Sequence, residues 1–149
     1  MSHYGRIVRI SGDPSTNHAD YEFSQKIRVR FAETDAMGIV HHSRYIPYLE
    51  EARVAYLRHI DHPYTSIRDE GIDMVVLEVF MQYRAPLKFD DLVDVHVSLH
   101  RVERATFQMA YLLIVADVVC AAGATAHGCI TIPDGRPTRI PAWMRNLKP

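Results

Sequence analysis

Between Phe31 and Arg53 the chain reads FAETDAMGIVHHSRYIPYLEEAR, and in this stretch a carboxylate, a glycine and two adjacent histidines fall close together. Asp35 follows Thr34 in a turn that ends at Gly38, just ahead of a helix whose first free backbone N–H groups are expected near Gly38 to His42. A carboxylate and the partly positive end of a helix can flank one small polar group from two sides. That arrangement suits attack on a carbonyl. Taken alone, Asp35 would be read as a turn or cap residue, and Gly38 as a turn residue with positive φ. Glu33 is the expected acidic neighbour of Asp35, and two like charges there would raise the pKa of one of them.

The neighbouring segments have to hold this stretch in place. Ser24 to Phe31 alternates Ile27, Val29 and Phe31 with Lys26, Arg28 and Arg30, the period of a half-buried strand that delivers Asp35 to a sheet edge. Ser43 to Ile60 carries Tyr45, Tyr48, Leu49, Ala52, Ala55, Tyr56 and Ile60 at helical spacing, with Ile46, Val54 and Leu57 widening the apolar arc. Glu50 and Arg53 are spaced to pair across one turn. A short helix is expected over Thr65 to Glu70, stopped at Gly71. Four strands follow: Met74 to Tyr83, Leu92 to Val102, Thr106 to Ala116 and Val118 to Thr131. Thr106 to Ala116 is apolar on both faces, which predicts a central strand or one packed on another subunit. Ala122, Ala124, Ala126 and Gly128 make one face of very small side chains, open to close approach. One strand, one long helix and four more strands give an α+β order. Residues 1–22 lack sustained periodicity and read as an arm, with a possible edge strand at Ile7 to Ile10; residues 23–149 form the domain.

The spacing Thr34-Asp35-x-x-Gly38-Ile39-Val40-x-His42-x-x-Tyr45, then Tyr48-x-Glu50-x-Ala52-Arg53, resembles the hotdog-fold acyl-CoA thioesterases of the 4-hydroxybenzoyl-CoA thioesterase type, including the bacterial branch associated with the Tol-Pal envelope system. A looser likeness runs from Gln25 to Arg145, through Tyr83-Arg84-Ala85-Pro86, Asp90-Asp91, Thr125-Ala126-His127 and Asp134-Gly135-Arg136-Pro137. The resemblance implies a curved antiparallel sheet wrapped around the long helix. It implies hydrolysis of an acyl-CoA thioester to free acid and CoA, with Asp35 as general base or nucleophile, the His42 N–H polarising the carbonyl, and Gly38 letting backbone approach the thioester. Val40, His41 and Tyr45 are the candidate substrate contacts, and Arg84, Lys88, Arg101 and Arg104 the candidate partners of the CoA phosphates. No bound cofactor is expected, because CoA is part of the substrate.

Two features depart from that branch. Phe31 stands where a tyrosine is common, and Met37 is bulkier than the small residue often found beside the glycine. A hotdog hydratase or dehydratase would carry Asp-x-Asn-Pro with the histidine five residues after the aspartate, whereas Met37-Gly38 stands here and the histidines come six and seven residues after Asp35. A non-catalytic acyl-CoA or acyl-carrier sensor would usually add a DNA-binding segment, and the arm shows no helical pattern for one.

At 149 residues and 48% hydrophobic content the chain fits one domain with a sizeable core. Seventeen basic against eighteen acidic side chains favour no nucleic-acid partner. The start MSHYGRIVRI lacks a secretion signal and no apolar run is long enough to span a membrane, so a cytoplasmic location is expected. Cys120 and Cys129 are too far apart along one strand for a disulfide. No metal is expected, because Asp35, His41, His42, His59 and His62 lack zinc-site spacing. The outer face of a single sheet, with the apolar Thr106 to Ala116 strand in it, would be left uncovered, which predicts a homodimer or homotetramer with the site at an interface.

Overall fold

The computed structural model describes residues 9–147. The strands are β1 (Phe23–Arg28), β2 (Ile72–Tyr83), β3 (Leu92–Val102), β4 (Phe107–Val115), β5 (Val118–Thr131) and the short β6 (Pro137–Thr138); the helices are α1 (Tyr45–His59), α2 (Tyr64–Asp69) and α3 (Ala142–Arg145). The sheet is antiparallel in the order β1-β3-β4-β5-β2, with β6 paired to β5. The alternating Leu92 to Val102 segment has the expected bounds, and the apolar β4 is the middle strand of the main path. The edge strand expected at Ile7 to Ile10 lies partly outside the described residues, and Arg9 and Ile10 are not in a strand.

One face of the sheet packs on α1. Tyr48, Leu49, Ala52, Tyr56 and Leu57 from the helix join Val93, Val95, Val97, Phe107, Met109, Tyr111 and Leu113 from the strands in one core. The apolar arc of the helix is narrower than its sequence suggests, since Ile46 is exposed. The Glu50–Arg53 pair does not form. Arg53 turns inward and donates from Nη1 to the Tyr111 hydroxyl at 3.1 Å, because that oxygen offers a buried acceptor that an exposed Glu50 cannot match.

The outer face is not bare, contrary to expectation. Residues 9–22 lie across it, and Tyr21 packs on Leu112, Ile114 and Ala122. Gln108, Ala110, Leu112 and Ile114, the outward residues of β4, are all buried within one chain. The apolar pattern of β4 is therefore satisfied locally, and the exposed apolar surface sits instead on β2, an end strand of the main path. Val76, Leu77, Val79, Phe80 and Tyr83 there are each 38–49% exposed.

Beneath α1 a buried polar chain has a fixed direction. Arg53 can only donate, so the Tyr111 proton is free for Thr125 Oγ1 (2.8 Å), and the Thr125 proton for His127 Nε2 (2.7 Å). His127 stacks on Phe107 with ring centroids 4.7 Å apart. Burial, with the Arg53 charge adding to it, pushes the His127 imidazole down to about 3. The unfolded chain then binds one more proton than the folded one between about pH 6.5 and pH 3. Stability should therefore fall as pH drops through that window, by up to about 1.4 kcal/mol per pH unit from this residue. Urea unfolding from pH 7 to 4 checks this: His127→Gln should flatten the pH dependence, and an unchanged slope would show that another group sets it.

Candidate active site

Val29 leaves β1 bonded to Asp90 and Asp91, and the chain turns through a 3-10 turn at Phe31–Glu33. Glu33 then fixes the loop. Its carboxylate accepts the Arg30 N–H (2.8 Å), the Arg30 guanidinium (3.1 Å) and the Tyr48 hydroxyl from α1 (2.8 Å), while its carbonyl accepts the His41 N–H (3.0 Å). Burial pushes the Glu33 carboxyl up, but these donors outweigh it and hold the group below the usual carboxylate range. Glu33 is therefore not the coupled acidic neighbour of Asp35 expected from sequence. Its charge is spent on Arg30 and Tyr48, and removing it would leave buried donors unmatched at a cost of about 1–3 kcal/mol.

The loop beyond it is a small hairpin. Thr34 bridges Val40, the Asp35 N–H donates to the Ile39 carbonyl (2.8 Å), and the Gly38 N–H returns to the Asp35 carbonyl (2.9 Å). Gly38 has φ +79°, and a Cβ there would meet no atom within 4 Å, so the glycine is required by backbone conformation and not by close contact within one chain. Asp35 Oδ1 accepts the Met37 N–H (2.8 Å), an Asx turn. No described residue donates to Oδ2.

The N–H groups ahead of the helix are mostly committed. Those of Gly38, Val40 and His41 go to Asp35, Leu87 and Glu33 carbonyls, and that of Ser43 to His41 Nδ1 (3.2 Å). The His42 N–H has no acceptor among the described residues. Its carbonyl accepts the Tyr83 hydroxyl at 3.0 Å, so the peptide between His42 and Ser43 is pinned at both ends. Asp35, Met37, Ile39, Val40, His42, Tyr45, Tyr83, Arg84, Ala85 and Pro86 line one cleft of about 480 Å³. Tyr45 is buried and packs edge-on to Tyr83, and burial pushes its phenol up to about 12, so it stays protonated.

Asp35, Val40, His42, Tyr45 and Arg84 are thus brought together, with Gly38 in the adjoining turn. Lys88 sits beside them through the bridge between its backbone and Ile39. His41 does not line the cleft; its ring caps the 3-10 turn at His42–Arg44 through Ser43. Arg101, the next-to-last residue of β3, pairs with Glu103 and bonds Ser11; it and Arg104, just past the strand, lie at the far end of β3, about 30 Å from the cleft by strand rise. Phe31, in the place of the branch tyrosine, is 75% exposed and meets Phe89 edge-on. Met37 is 81% exposed and is one of the residues that line the cleft. Tyr83 stands out in the sequence only as part of a looser likeness and Glu33 only as an acidic neighbour; their roles here, holding the His42 carbonyl and anchoring the loop, were not foreseen. The signal for Tyr83 was its place at a strand end beside Arg84; for Glu33 there was none, because a buried glutamate is recognised only by its partners. Among the described residues no cluster of three or more His, Cys, Asp or Glu is placed to hold a metal ion.

The chain has relatives of the same fold. A family model described as the thioesterase-like superfamily matches residues 29–147. A protein of Aquifex aeolicus, provisionally named an esterase, is 41% identical over 119 residues, covering 80% of this chain and 91% of its own. The acyl-CoA thioesterase YbgC of Haemophilus influenzae is 28% identical over 127 residues, covering 85% of this chain and 93% of its own. The solved structure of a gentisyl-coenzyme A thioesterase superposes with a TM-score of 0.77 at 27% identity, over 83% of this chain and 99% of that one. With an antiparallel sheet packed on one long helix and a family match over residues 29–147, the chain belongs to the thioesterase-like superfamily and has the hotdog fold.

Proposed function

We propose that the cleft between Asp35 and His42 hydrolyses an acyl-CoA thioester to the free carboxylic acid and CoA. The observation that carries this reading is that Asp35 and His42 line one cleft in a member of a thioesterase family, the first with a carboxylate oxygen that has no donor and the second with an N–H that has no acceptor among the described residues. The His42 N–H, strengthened by the dipole of α1, would hold the carbonyl oxygen as it becomes negative. Asp35 Oδ2 would take a proton from the attacking water, or attack the carbonyl carbon itself. In the first case the carbon–sulfur bond breaks and the thiolate leaves as CoA with the proton that Asp35 took from water. In the second the thiolate leaves behind an Asp35 acyl anhydride, which water then hydrolyses to the free acid, giving the thiolate its proton. These groups supply what acyl transfer requires without a resident cofactor.

Arg84 and Lys88 are the nearby cations for CoA phosphates. Arg101 and Arg104 would reach the cleft only from a second copy. A second copy is expected at β2, whose outward edge pairs with no strand among the described residues and whose large apolar side chains are exposed. Two β2 strands paired antiparallel would bring the far end of the partner's sheet toward the end that carries Tyr83 and Arg84, and so set the cleft at the subunit boundary. No helix among the described residues is long and apolar enough to cross a membrane, and the two buried free cysteines fit a reducing, cytoplasmic location.

Assay of thiol release across short aliphatic, long aliphatic and aromatic acyl-CoA esters tests the reaction and identifies the acyl group. On the best substrate Asp35→Asn should lower turnover by about 10² or more while leaving thermal unfolding nearly unchanged, because asparagine keeps most of the capping geometry. Near wild-type turnover would end the catalytic role of Asp35. Tyr83→Phe releases the His42 carbonyl, one end of the peptide next to the one that presents the His42 N–H. The loss of about 1 kcal/mol of positioning should lower kcat roughly fivefold with little change in KM. An unchanged kcat would show that the hydroxyl plays no part.

A further inference from the structure

The arm is held by specific bonds across great sequence distance. Glu78 on β2 accepts the Arg9 and Ile10 N–H groups at 2.8–3.1 Å, and the Arg9 guanidinium lies 3.6 Å from it. Gln108 on β4, 6% exposed, uses both ends of its amide: Oε1 accepts the Ser11 N–H at 3.2 Å and Nε2 donates to the Arg9 carbonyl at 2.5 Å. Arg101 reaches Ser11 Oγ at 2.9 Å. Farther along, Tyr21 lies on Leu112, Ile114 and Ala122 and closes its own loop through the Ser15 carbonyl (2.7 Å). The arm thus runs over the outer face from β3 to β2, and it is the only layer there among the described residues.

What it covers is suited to another sheet. Ala110, Leu112 and Ile114 on β4 and Ala122, Ala124 and Ala126 on β5 carry no charge and are mostly small, a central patch between Glu78 on β2 and Asp94 on β3 on which the same patch of a second copy could pack about a two-fold axis. The family match begins at residue 29, and 83% of this chain covers 99% of the gentisyl-coenzyme A thioesterase, so the arm lies outside the family match. We propose that the arm occupies the place of a second copy of this chain, and that by covering the outer face it prevents back-to-back stacking of sheets. Assembly is then restricted to the β2 edge.

Light scattering on the full chain tests this. The double variant Glu78→Ala, Gln108→Ala removes both pins and should free the Ile10 and Ser11 amides for hydrogen exchange while doubling the particle mass. Adding Ala122→Glu, which sets a charge on the uncovered face, should return the mass to its starting value. Should the double variant fail to fold, Tyr21→Ala removes the ring from Leu112 and Ile114 and is read the same way. An unchanged mass with freely exchanging arm amides would overturn the proposal, as would an arm that stays protected without its pins, or association that Ala122→Glu does not reverse. A doubling is required whether the starting particle is one 17.1 kDa chain or two, so failure of the β2 dimer and failure of the arm's role are told apart.

Discussion

The buried carboxylate of Glu33 joins three segments that would otherwise move independently. It receives the Arg30 backbone and guanidinium from the end of the first strand segment and the Tyr48 hydroxyl from the long helix, while its own carbonyl anchors His41. A carboxylate taken out of water is stable only when its acceptor capacity is filled, and three donors fill it here. The cost of releasing any one of them keeps the loop and the helix start in one relative position. Asp35 and His42 lie between these anchor points, so their separation is fixed by a residue that does not line the cleft.

Hydrogen-bond accounting explains why the reactive groups are the ones left over. In the hairpin from Thr34 to Val40 the backbone is largely paired with itself and with Leu87, and Met37 takes one oxygen of Asp35. The histidine pair divides the work: His41 caps the turn through Ser43, and His42 keeps its N–H uncommitted. A rigid loop with one open acceptor and one open donor is preorganised for a polar group that has both an electrophilic carbon and an oxygen gaining charge. Tyr83 adds a constraint from the sheet, by holding the His42 carbonyl from an edge that is itself exposed.

Much of this could be read from the sequence, because the signals were local. Strand alternation placed Leu92–Val102, helical spacing placed the long helix to within two residues at its start, and the run from Thr34 to Tyr45 gathered six of the cleft's residues. Interactions between distant segments were not legible. Arg53 looked like a surface partner of Glu50, yet Tyr111 lies 58 residues away in sequence and only the folded sheet brings it near. Glu33 looked like a second acid beside Asp35, since charge pattern says nothing about burial. The arm has no periodicity because it forms no repeating structure; Glu78 and Gln108, the residues that hold it, are ordinary strand residues in the sequence.

The central claim is that one thioester carbonyl is held between the His42 N–H and Asp35. It is tested most directly by a crystal structure with a dethia acyl-CoA analogue, which keeps the carbonyl and replaces the sulfur with a methylene. The expected result is a carbonyl oxygen about 2.7–3.2 Å from the His42 nitrogen, with the carbonyl carbon about 3.5 Å from Asp35 Oδ2 or one water away from it. A carbonyl oxygen bound elsewhere, with the His42 N–H bonded to another group or Asp35 turned from the carbon, would contradict it.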